Sequence, residues 1–189
     1  MAIIRASNIG RGPRMPYPTT EFPWSGHGMS NRTFLLPDNR GYVLFSNPVL
    51  RHMYRHAQTH IWHREAGGQL FSPAPHESAV VVSVATGPHP RDVRGHHLFV
   101  PDLHSATSDR RMQFDQGRHA VGLWHTHPEL NPSPSTQDYE TTLEYLEAFH
   151  GAMNGFLLAI LGNHGNPLNM AVWVATTEPN GLWTRLKEV

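Results

Sequence analysis

Short runs of hydrophobic residues recur along the chain, and each run ends at glycine, proline or polar residues. Runs of about four to eight aliphatic, β-branched or aromatic residues are typical of β-strands. The run at 119–127, HAVGLWHTH, combines small and apolar residues, which predicts a central position in the sheet. Strands are predicted at 41–46, 69–72, 78–85, 97–103, 119–127, 156–163, 169–176 and 182–188.

Two segments carry hydrophobic residues at helical spacing. The first helix is predicted to begin at Asn47 and Pro48, which suit an N-cap and a first turn, and to run to about Glu65. The second helix is predicted to begin near Ser135. With the strands, these helices predict an α+β fold in which helices pack against a mixed β-sheet. The apolar helical positions are Leu50, Tyr54, Ala57 and Ile61 in the first helix and Tyr139, Leu143 and Leu146 in the second.

The N-terminal stretch differs in composition from the rest of the chain. Residues 1–40 are rich in Pro, Gly, Arg and Ser and show no sustained periodicity, which predicts an irregular extension. Residues 41–189 are predicted to form one domain, because a chain of 189 residues can bury a core of its own.

Composition excludes several classes of site. Lys plus Arg equals Asp plus Glu, so no broad nucleic-acid or acidic-membrane surface is expected. There is no cysteine, which excludes disulfides, thiolate zinc sites and a cysteine nucleophile, and which suits the cytoplasm. The first residues lack a continuous apolar stretch of the kind found in secretory signals, and the apolar runs are too short to span a membrane. The chain is therefore predicted to be cytoplasmic, and any metal site must use its fifteen histidines with Asp or Glu.

The stretch LWHTHPELNPSPSTQD at 123–138 contains the strongest candidate chemistry. His125 and His127 are two residues apart at the end of a predicted strand, so their side chains point to the same side, about 6–7 Å apart. Zinc accepts histidine nitrogen and carboxylate oxygen, and a catalytic zinc keeps one position for water. Asp138 can supply a third ligand if the proline-rich segment between them turns the chain back.

A plainer interpretation of the same stretch is also available. Ser135 and Asp138 have the spacing of a capping box, in which the serine is the N-cap of a helix and the acidic residue occupies position N3. The two interpretations are compatible, because a helix start fixes the backbone that carries both side chains.

The full pattern closely resembles the JAMM motif of the JAB/MPN metalloprotease family, H-[ST]-H-P-x(6)-S-x-x-D. Here it is His125-Thr126-His127-Pro128, six residues, Ser135, two residues and Asp138. The family also has an upstream glutamate before two glycines and a strand, which Glu65 in REAGGQLF matches. The resemblance covers about residues 41–188 and implies the JAB/MPN, cytidine-deaminase-like architecture.

The resemblance also implies a role for each residue of the motif. His125, His127 and Asp138 are expected to bind Zn²⁺, Glu65 to act as general acid and base, and Ser135 to assist the oxyanion. From the residues alone, Glu65 has an alternative role, as a helix-end carboxylate that pairs with Arg55 or Arg64.

Two other polar segments are expected to be solvent-exposed surface. The histidines of the first predicted helix lie away from its apolar face and are expected to be a solvated flank, not a second metal site; they are His52, His56, His60 and His63. Segment 89–97, HPRDVRGHH, is expected to be an exposed loop, with the alternative that it borders the substrate channel.

The function implied by the resemblance is a zinc-dependent isopeptidase or peptidase. It would hydrolyse the amide bond after the C-terminal tail of a ubiquitin-like protein, in a bacterial conjugation or antiphage defence system with E1-like and E2-like partners. No nucleic-acid or membrane partner is expected. The alternatives are a non-catalytic MPN scaffold, which usually lacks motif residues, and a DNA-repair-associated or phage-tail JAB relative, against which the neutral charge argues.

Overall fold

The computed structural model describes residues 30–37, 40–149, 155–176 and 183–189. Strands and helices both occur within these ranges, so the predicted α+β fold is confirmed. The helices are α1 (Asn47–Tyr54), α2 (Leu103–Asp115) and α3 (Thr136–Ala148). The strands are β1 (Arg32–Leu35), β2 (Tyr42–Phe45), β3 (Gly67–Ser72), β4 (Ala79–Val82), β5 (Val84–Ala85), β6 (Val93–Arg94), β7 (Phe99–Val100), β8 (His119–Thr126), β9 (Phe156–Gly165), β10 (Leu168–Ala175), β11 (Trp183–Arg185) and β12 (Lys187–Glu188).

The larger sheet has six strands in the order β11-β10-β9-β8-β3-β5. Strand β8 pairs antiparallel with β3 on one side and parallel with β9 on the other. Helix α3 lies between β8 and β9 in the chain and provides the crossover that a parallel pair requires. The predicted central position of the 119–127 strand is therefore confirmed.

The remaining strands form two smaller sheets. One has the order β12-β1-β2-β4, with β2 and β4 parallel, and the other is the antiparallel hairpin β6–β7. The single predicted strand at 78–85 is divided between sheets, because β4 pairs with β2 while β5 pairs with β3. The predicted strand at 182–188 is divided in the same way, into β11 and β12.

The main hydrophobic core lies between the six-stranded sheet, the four-stranded sheet and α1. Strand β9 is buried on both faces: Leu157 and Leu161 pack into this core, whereas Leu158 and Ile160 pack with Trp173 on the opposite face. Helix α3 covers part of that opposite face through Leu146, which packs with Phe156 of β9 and Ala175 of β10. The continuous apolar pattern of β9 is the sequence signature of a strand covered on both sides.

The first helix is shorter than predicted. It ends at Tyr54, and the chain reaches Glu65 through turns instead of through further helix. Most residues between these two positions are histidine, threonine, isoleucine or tryptophan, which have low helix propensity. Ile61, predicted to lie on the apolar face, is 83% exposed.

Helix α2 was not predicted, because its residues lack an amphipathic pattern. Only Ala106 and Gln113 of this helix are buried. Its start carries a cap signal instead, since the Asp102 side chain accepts a hydrogen bond from the Ser105 N–H (2.9 Å). The strand predicted at 97–103 is accordingly reduced to β7, and the helix begins at Leu103.

Strand β1 lies inside the stretch predicted to be irregular. Arg32–Leu35 pairs with β2 and β12, so the prediction for 1–40 is wrong at this strand. The Arg32 guanidinium joins it to the C-terminal strand through the Glu188 carboxylate, at 2.6 Å, and also donates to the Leu168 carbonyl oxygen. These contacts join residues that are far apart in the sequence, so the local pattern of hydrophobic and polar residues does not indicate them. Residues 1–29 lie outside the described residues.

Three of the four histidines predicted as a solvated flank are half-buried: His52, His56 and His63. His52 and His56 pack against the Trp124 ring, with ring centroids 5.7 and 6.0 Å from it. Burial lowers the pKa of His56 to about 4, and the charges of neighbouring basic groups act in the same direction. His52 Nε2 also lies 2.6 Å from the Gly87 carbonyl oxygen, whereas His60 is exposed. In the parts of the chain that are described, no helix is long and apolar enough to cross a membrane.

The packing of β8 on β9 generates a stability prediction for Gly122→Ala. A Cβ at this position would lie 2.5 Å from the Leu157 carbonyl oxygen, so the two central strands would have to separate. We expect the free energy of unfolding to fall by about 1–3 kcal/mol, as for other overpacked cores. Urea denaturation followed by circular dichroism measures it, and a wild-type midpoint would contradict this packing.

Candidate metal centre and active site

The two histidines of the motif lie at the end of β8, on one side of the strand. His125 is paired with Gly67 of β3 and Ile160 of β9, and the His127 N–H donates to the Leu161 carbonyl oxygen (2.8 Å). Both side chains are buried, and their Nε2 atoms are 3.0 Å apart. The pairing of β8 with a strand on each side therefore fixes both imidazoles.

The third side chain of the cluster comes from the first turn of α3. Asp138 Oδ1 is 3.2 Å from His125 Nε2, and Asp138 Oδ2 is 3.7 Å from His127 Nε2. The predicted capping box is confirmed: the Ser135 N–H and hydroxyl both donate to Asp138 Oδ2, at 2.7 and 2.8 Å, and Ser135 Oγ accepts from the Asp138 N–H. The cap thus holds the carboxylate against the imidazoles.

The donor set fits a zinc ion. Zinc–nitrogen distances of about 2.0–2.1 Å in a tetrahedral site separate two donor atoms by about 3.3–3.4 Å, and the observed separations are 3.0, 3.2 and 3.7 Å. Among the described residues, His125, His127 and Asp138 are the only three metal-ligating side chains whose donor atoms all lie within 4.8 Å of one another.

The protonation states expected at this cluster also suit a cation. Burial and the neighbouring His125 lower the pKa of His127, which favours the neutral imidazole. Burial opposes ionisation of Asp138, but hydrogen bonds and charge from His125 and hydrogen bonds from Ser135 hold its pKa well below its usual range. A neutral imidazole at His127 and an ionised carboxylate at Asp138 are ligand forms that metal binding requires.

Glu65 lies two residues before the start of β3 and is 8% exposed. The next residue, Ala66, is hydrogen-bonded in both directions to Thr126, at 2.9 Å through the main chain and 3.0 Å to the threonine hydroxyl. Burial raises the pKa of Glu65 to about 7; the charge of His125 opposes the shift, and that of Asp138 adds to it. Glu65 is thus a buried carboxyl that can change protonation state near neutral pH.

A cavity of about 550 Å³ contains all five residues predicted from the motif, namely Glu65, His125, His127, Ser135 and Asp138. It lies over β3 and β8, and residues of the β6–β7 hairpin, α2 and α3 line its sides. No lysine or arginine is among its lining residues in the described chain, whereas five carboxylates are. The Ser135 hydroxyl reaches this cavity but is engaged with Asp138 in the cap.

Two polar features of the cavity were not predicted from the sequence. Glu129 Oε2 lies 3.8 Å from His127 Nδ1, an atom that has no hydrogen-bond partner among the described residues. His89 Nε2 lies 2.7 Å from Asp109 Oδ2 and joins the segment before β6 to α2. The sequence places Glu129 only two residues after His127, so its proximity to that ring could have been predicted. The contact between His89 and Asp109 depends on the tertiary fold, and no local pattern indicates it.

Comparisons with known proteins identify a family and a curated relative. Residues 46–176 match the family described as prokaryotic homologs of the JAB domain. A curated protein of Pseudomonas aeruginosa (strain BWHPSA011 / Pa011), named CD-NTase/cGAS isopeptidase, is 39% identical over 105 residues. That match covers 53% of this chain and 65% of the relative, so the chain spans less than two thirds of the relative's length.

A solved structure provides the comparison of folds. The solution structure of protein DSY2949 from Desulfitobacterium hafniense has a TM-score of 0.54 to this chain. The superposition covers 77% of this chain and 88% of that one, at 16% sequence identity. At this identity the likeness concerns the fold alone.

The ligand geometry predicts the effect of removing one imidazole. Wild-type protein should hold about one zinc per chain, and His125→Ala and His127→Ala should each lose most of it, because two protein ligands remain of three. Mass-spectrometric metal analysis of the purified variants measures the zinc content. His119→Ala, at an exposed position outside the cavity on the same strand, is the matched control and should keep its zinc. Full zinc occupancy in both cluster variants would disprove the assignment.

Proposed function

The chain belongs to the family of prokaryotic homologs of the JAB domain, and from this premise we propose that it is a zinc-dependent isopeptidase. The observation that carries the proposal is the presence of Glu65 in the same cavity as the His125, His127 and Asp138 cluster. A buried carboxyl beside three metal-ligating side chains is the arrangement that metal-assisted amide hydrolysis requires.

In this proposal, His125, His127 and Asp138 hold the metal. Bound zinc supplies Lewis acidity, which lowers the pKa of water to about 7 and polarises a carbonyl group. The capping box keeps Asp138 ionised and pointed at the imidazoles. Glu129, 3.8 Å from His127 Nδ1, can orient that ring by its negative charge.

Glu65 carries the proton in the proposed reaction. Its carboxylate takes a proton from the water whose oxygen bonds to the substrate carbonyl carbon. It then gives that proton to the amine nitrogen as the carbon–nitrogen bond breaks, so the acid and the amine leave as separate products. A pKa of about 7 suits both halves of this exchange at neutral pH.

Ser135 is proposed to assist the developing negative charge on the carbonyl oxygen. Its hydroxyl lies in the cavity and donates to Asp138 Oδ2. Rotation about its side-chain bond would redirect that donor toward the substrate, while the Ser135 N–H keeps its own 2.7 Å bond to the carboxylate. Loss of one oxyanion donor typically costs about 10²–10³ in rate.

The proposed substrate is a protein whose C-terminal tail is joined to an amine. The name of the Pseudomonas relative indicates a CD-NTase as one protein of its conjugate, and the resemblance to JAB enzymes indicates a ubiquitin-like protein. We place the activity in a bacterial antiphage or ubiquitin-like conjugation system with E1-like and E2-like partners, in the cytoplasm. A nucleic-acid substrate is disfavoured, because the cavity is lined by carboxylates and by no lysine or arginine of the described residues.

The proposal is tested by incubating the zinc-loaded protein with purified conjugates. Lysine-linked and linear fusions of CD-NTase and ubiquitin-like tails should be mixed with it, with and without 1,10-phenanthroline, and the products analysed by mass spectrometry. Cleavage directly after the tail, inhibited by the chelator and restored by zinc, is the expected result. A zinc-loaded protein that cleaves none of these substrates would refute the proposed activity.

The proposed proton transfer by Glu65 predicts that Glu65→Gln loses turnover. Turnover should fall by at least about 10²-fold, the lower range for loss of a general base. Zinc content and the circular dichroism spectrum should match those of the wild type, because Glu65 is not a ligand. Exposed Glu77→Gln, outside the cavity, is the control. A loss of turnover below about tenfold would contradict the proposed role.

Another prediction concerns the tail of the substrate. Its last residue is expected to be small, because an extended chain that passes directly over the ligand cluster leaves little room for a large side chain beside the cleaved bond. Replacing that residue by Trp should abolish cleavage, whereas changing the protein on the amine side should have little effect. Normal cleavage of the Trp substrate would exclude this mode of binding, and strong dependence on the amine side would favour recognition by the surrounding loops.

A further inference from the structure

The main chain of Glu65 is held by the β6–β7 hairpin. The Glu65 N–H donates to the Gly95 carbonyl oxygen at 2.7 Å, and the Arg94 Nε donates to the Glu65 carbonyl oxygen. The Arg94 Nη2 also donates to the Arg64 carbonyl oxygen, at 3.2 Å. Two consecutive hairpin residues therefore bind the peptide groups on both sides of the Glu65 side chain.

The Arg94 side chain is less exposed than arginine side chains usually are. It is half-buried, and burial lowers the pKa of its guanidinium. In the described chain, its hydrogen bonds go to main-chain carbonyl oxygens, and no salt bridge to a carboxylate within 4 Å is formed. A half-buried arginine loses hydration, which the charge of Asp92 and its bonds to residues 64 and 65 offset.

A second set of bonds joins the same hairpin to the strand that carries the two imidazoles. The buried Gln58 side chain donates to the His96 carbonyl oxygen at 2.8 Å and accepts from the Thr126 hydroxyl at 3.1 Å. That hydroxyl accepts the Ala66 N–H. The residue after Glu65 is thus fixed to β8, and the position of Glu65 itself is decided by the hairpin.

The hairpin also lines the cavity. Leu98, Phe99 and Val100 face it, and the Phe99 ring packs so closely on Gly67 that a Cβ there would lie 2.7 Å from it. Leu98 and Val100 are 49% and 47% exposed, so they are free to contact a substrate. A chain that enters the cavity therefore touches the same element that holds Glu65.

We propose that Arg94 is a positioning residue, which holds the Glu65 main chain against the β6–β7 hairpin so that its carboxyl faces the His125 and Asp138 side chains. The inference rests on the proposed function, in which Glu65 transfers the proton. Because a misplacement of about 1 Å at a reacting group can cost about 10²-fold in rate, loss of the two guanidinium bonds should affect turnover more than binding.

The experiment compares Arg94→Gln and Arg94→Lys with the wild type in the conjugate cleavage assay. Arg94→Gln should lower kcat by about 10–100-fold with KM changed by less than about twofold and zinc content unchanged. Arg94→Lys keeps a positive donor with a single nitrogen and should recover part of kcat. Arg111→Gln, an exposed arginine of α2 outside the cavity, is the matched control and should behave as the wild type.

A second measurement does not require turnover. Amide hydrogen exchange, followed by NMR, should be at least about tenfold faster at Glu65 in Arg94→Gln, because its bond to Gly95 depends on the clamped hairpin. The Thr126 and His127 amides, which bond to Ala66 and Leu161, should keep their rates. This comparison separates local release of Glu65 from general loosening of the fold.

The two measurements distinguish failure of the Arg94 inference from failure of the proposed function. An unchanged kcat in Arg94→Gln, loss of zinc, or faster exchange at all three amides would overturn the inference. If the wild-type protein cleaves no conjugate, the proposed function fails, and the exchange measurement alone decides: selective acceleration at Glu65 supports the clamp, and an unchanged Glu65 rate refutes it.

Discussion

The register of β8 against β3 is the constraint on which the site depends. It places Gly67 beside His125 and so brings Glu65, two residues earlier, to the end of the same strand pair. A slip of one residue would turn both imidazoles to the other face of the sheet. Thr126 secures the register, because it is fully buried and its hydroxyl joins the Ala66 N–H to the Gln58 side chain. An apolar residue there would leave two buried polar groups without partners.

The first turn of α3 is also part of the site, because Asp138 both caps this helix and faces the imidazoles. Asp138 satisfies the free N–H of Ser135 at the helix terminus and, with its other oxygen, faces His125. A carboxylate in the first turn is also favoured by the helix dipole. The stability of this helix start and the affinity for a cation are therefore linked, since both require the same ionised side chain.

Sequence reasoning succeeded where the information is local. The strands at 119–127 and 156–163 and the helix start at Ser135 each carry a continuous pattern within a few residues. Glu65 has no such signal: it is one carboxylate among several, and only the resemblance of REAGGQLF to a family motif singled it out. Roles assigned to these residues remain predictions.

The elements that sequence reasoning missed are those fixed by distant contacts. Helix α2 buries only two of its residues, so its pattern carries little periodicity. The clamp of Arg94 on Glu65 joins residues 29 apart. The half-burial of His52 and His56 follows from their contacts with Trp124 of β8, which charge and polarity alone could not indicate.

The candidate ligands are nitrogen and oxygen atoms only, in a chain without a single thiol. Oxidants such as hydrogen peroxide release metal from cysteine-rich centres by converting thiolates to sulfenic acids or disulfides. Imidazole and carboxylate ligands offer them no such target. Soft ions such as Cu(I), which select sulfur ligands, are likewise poorly matched to this site. A centre of this composition can therefore keep its metal under oxidative stress that would empty a zinc finger.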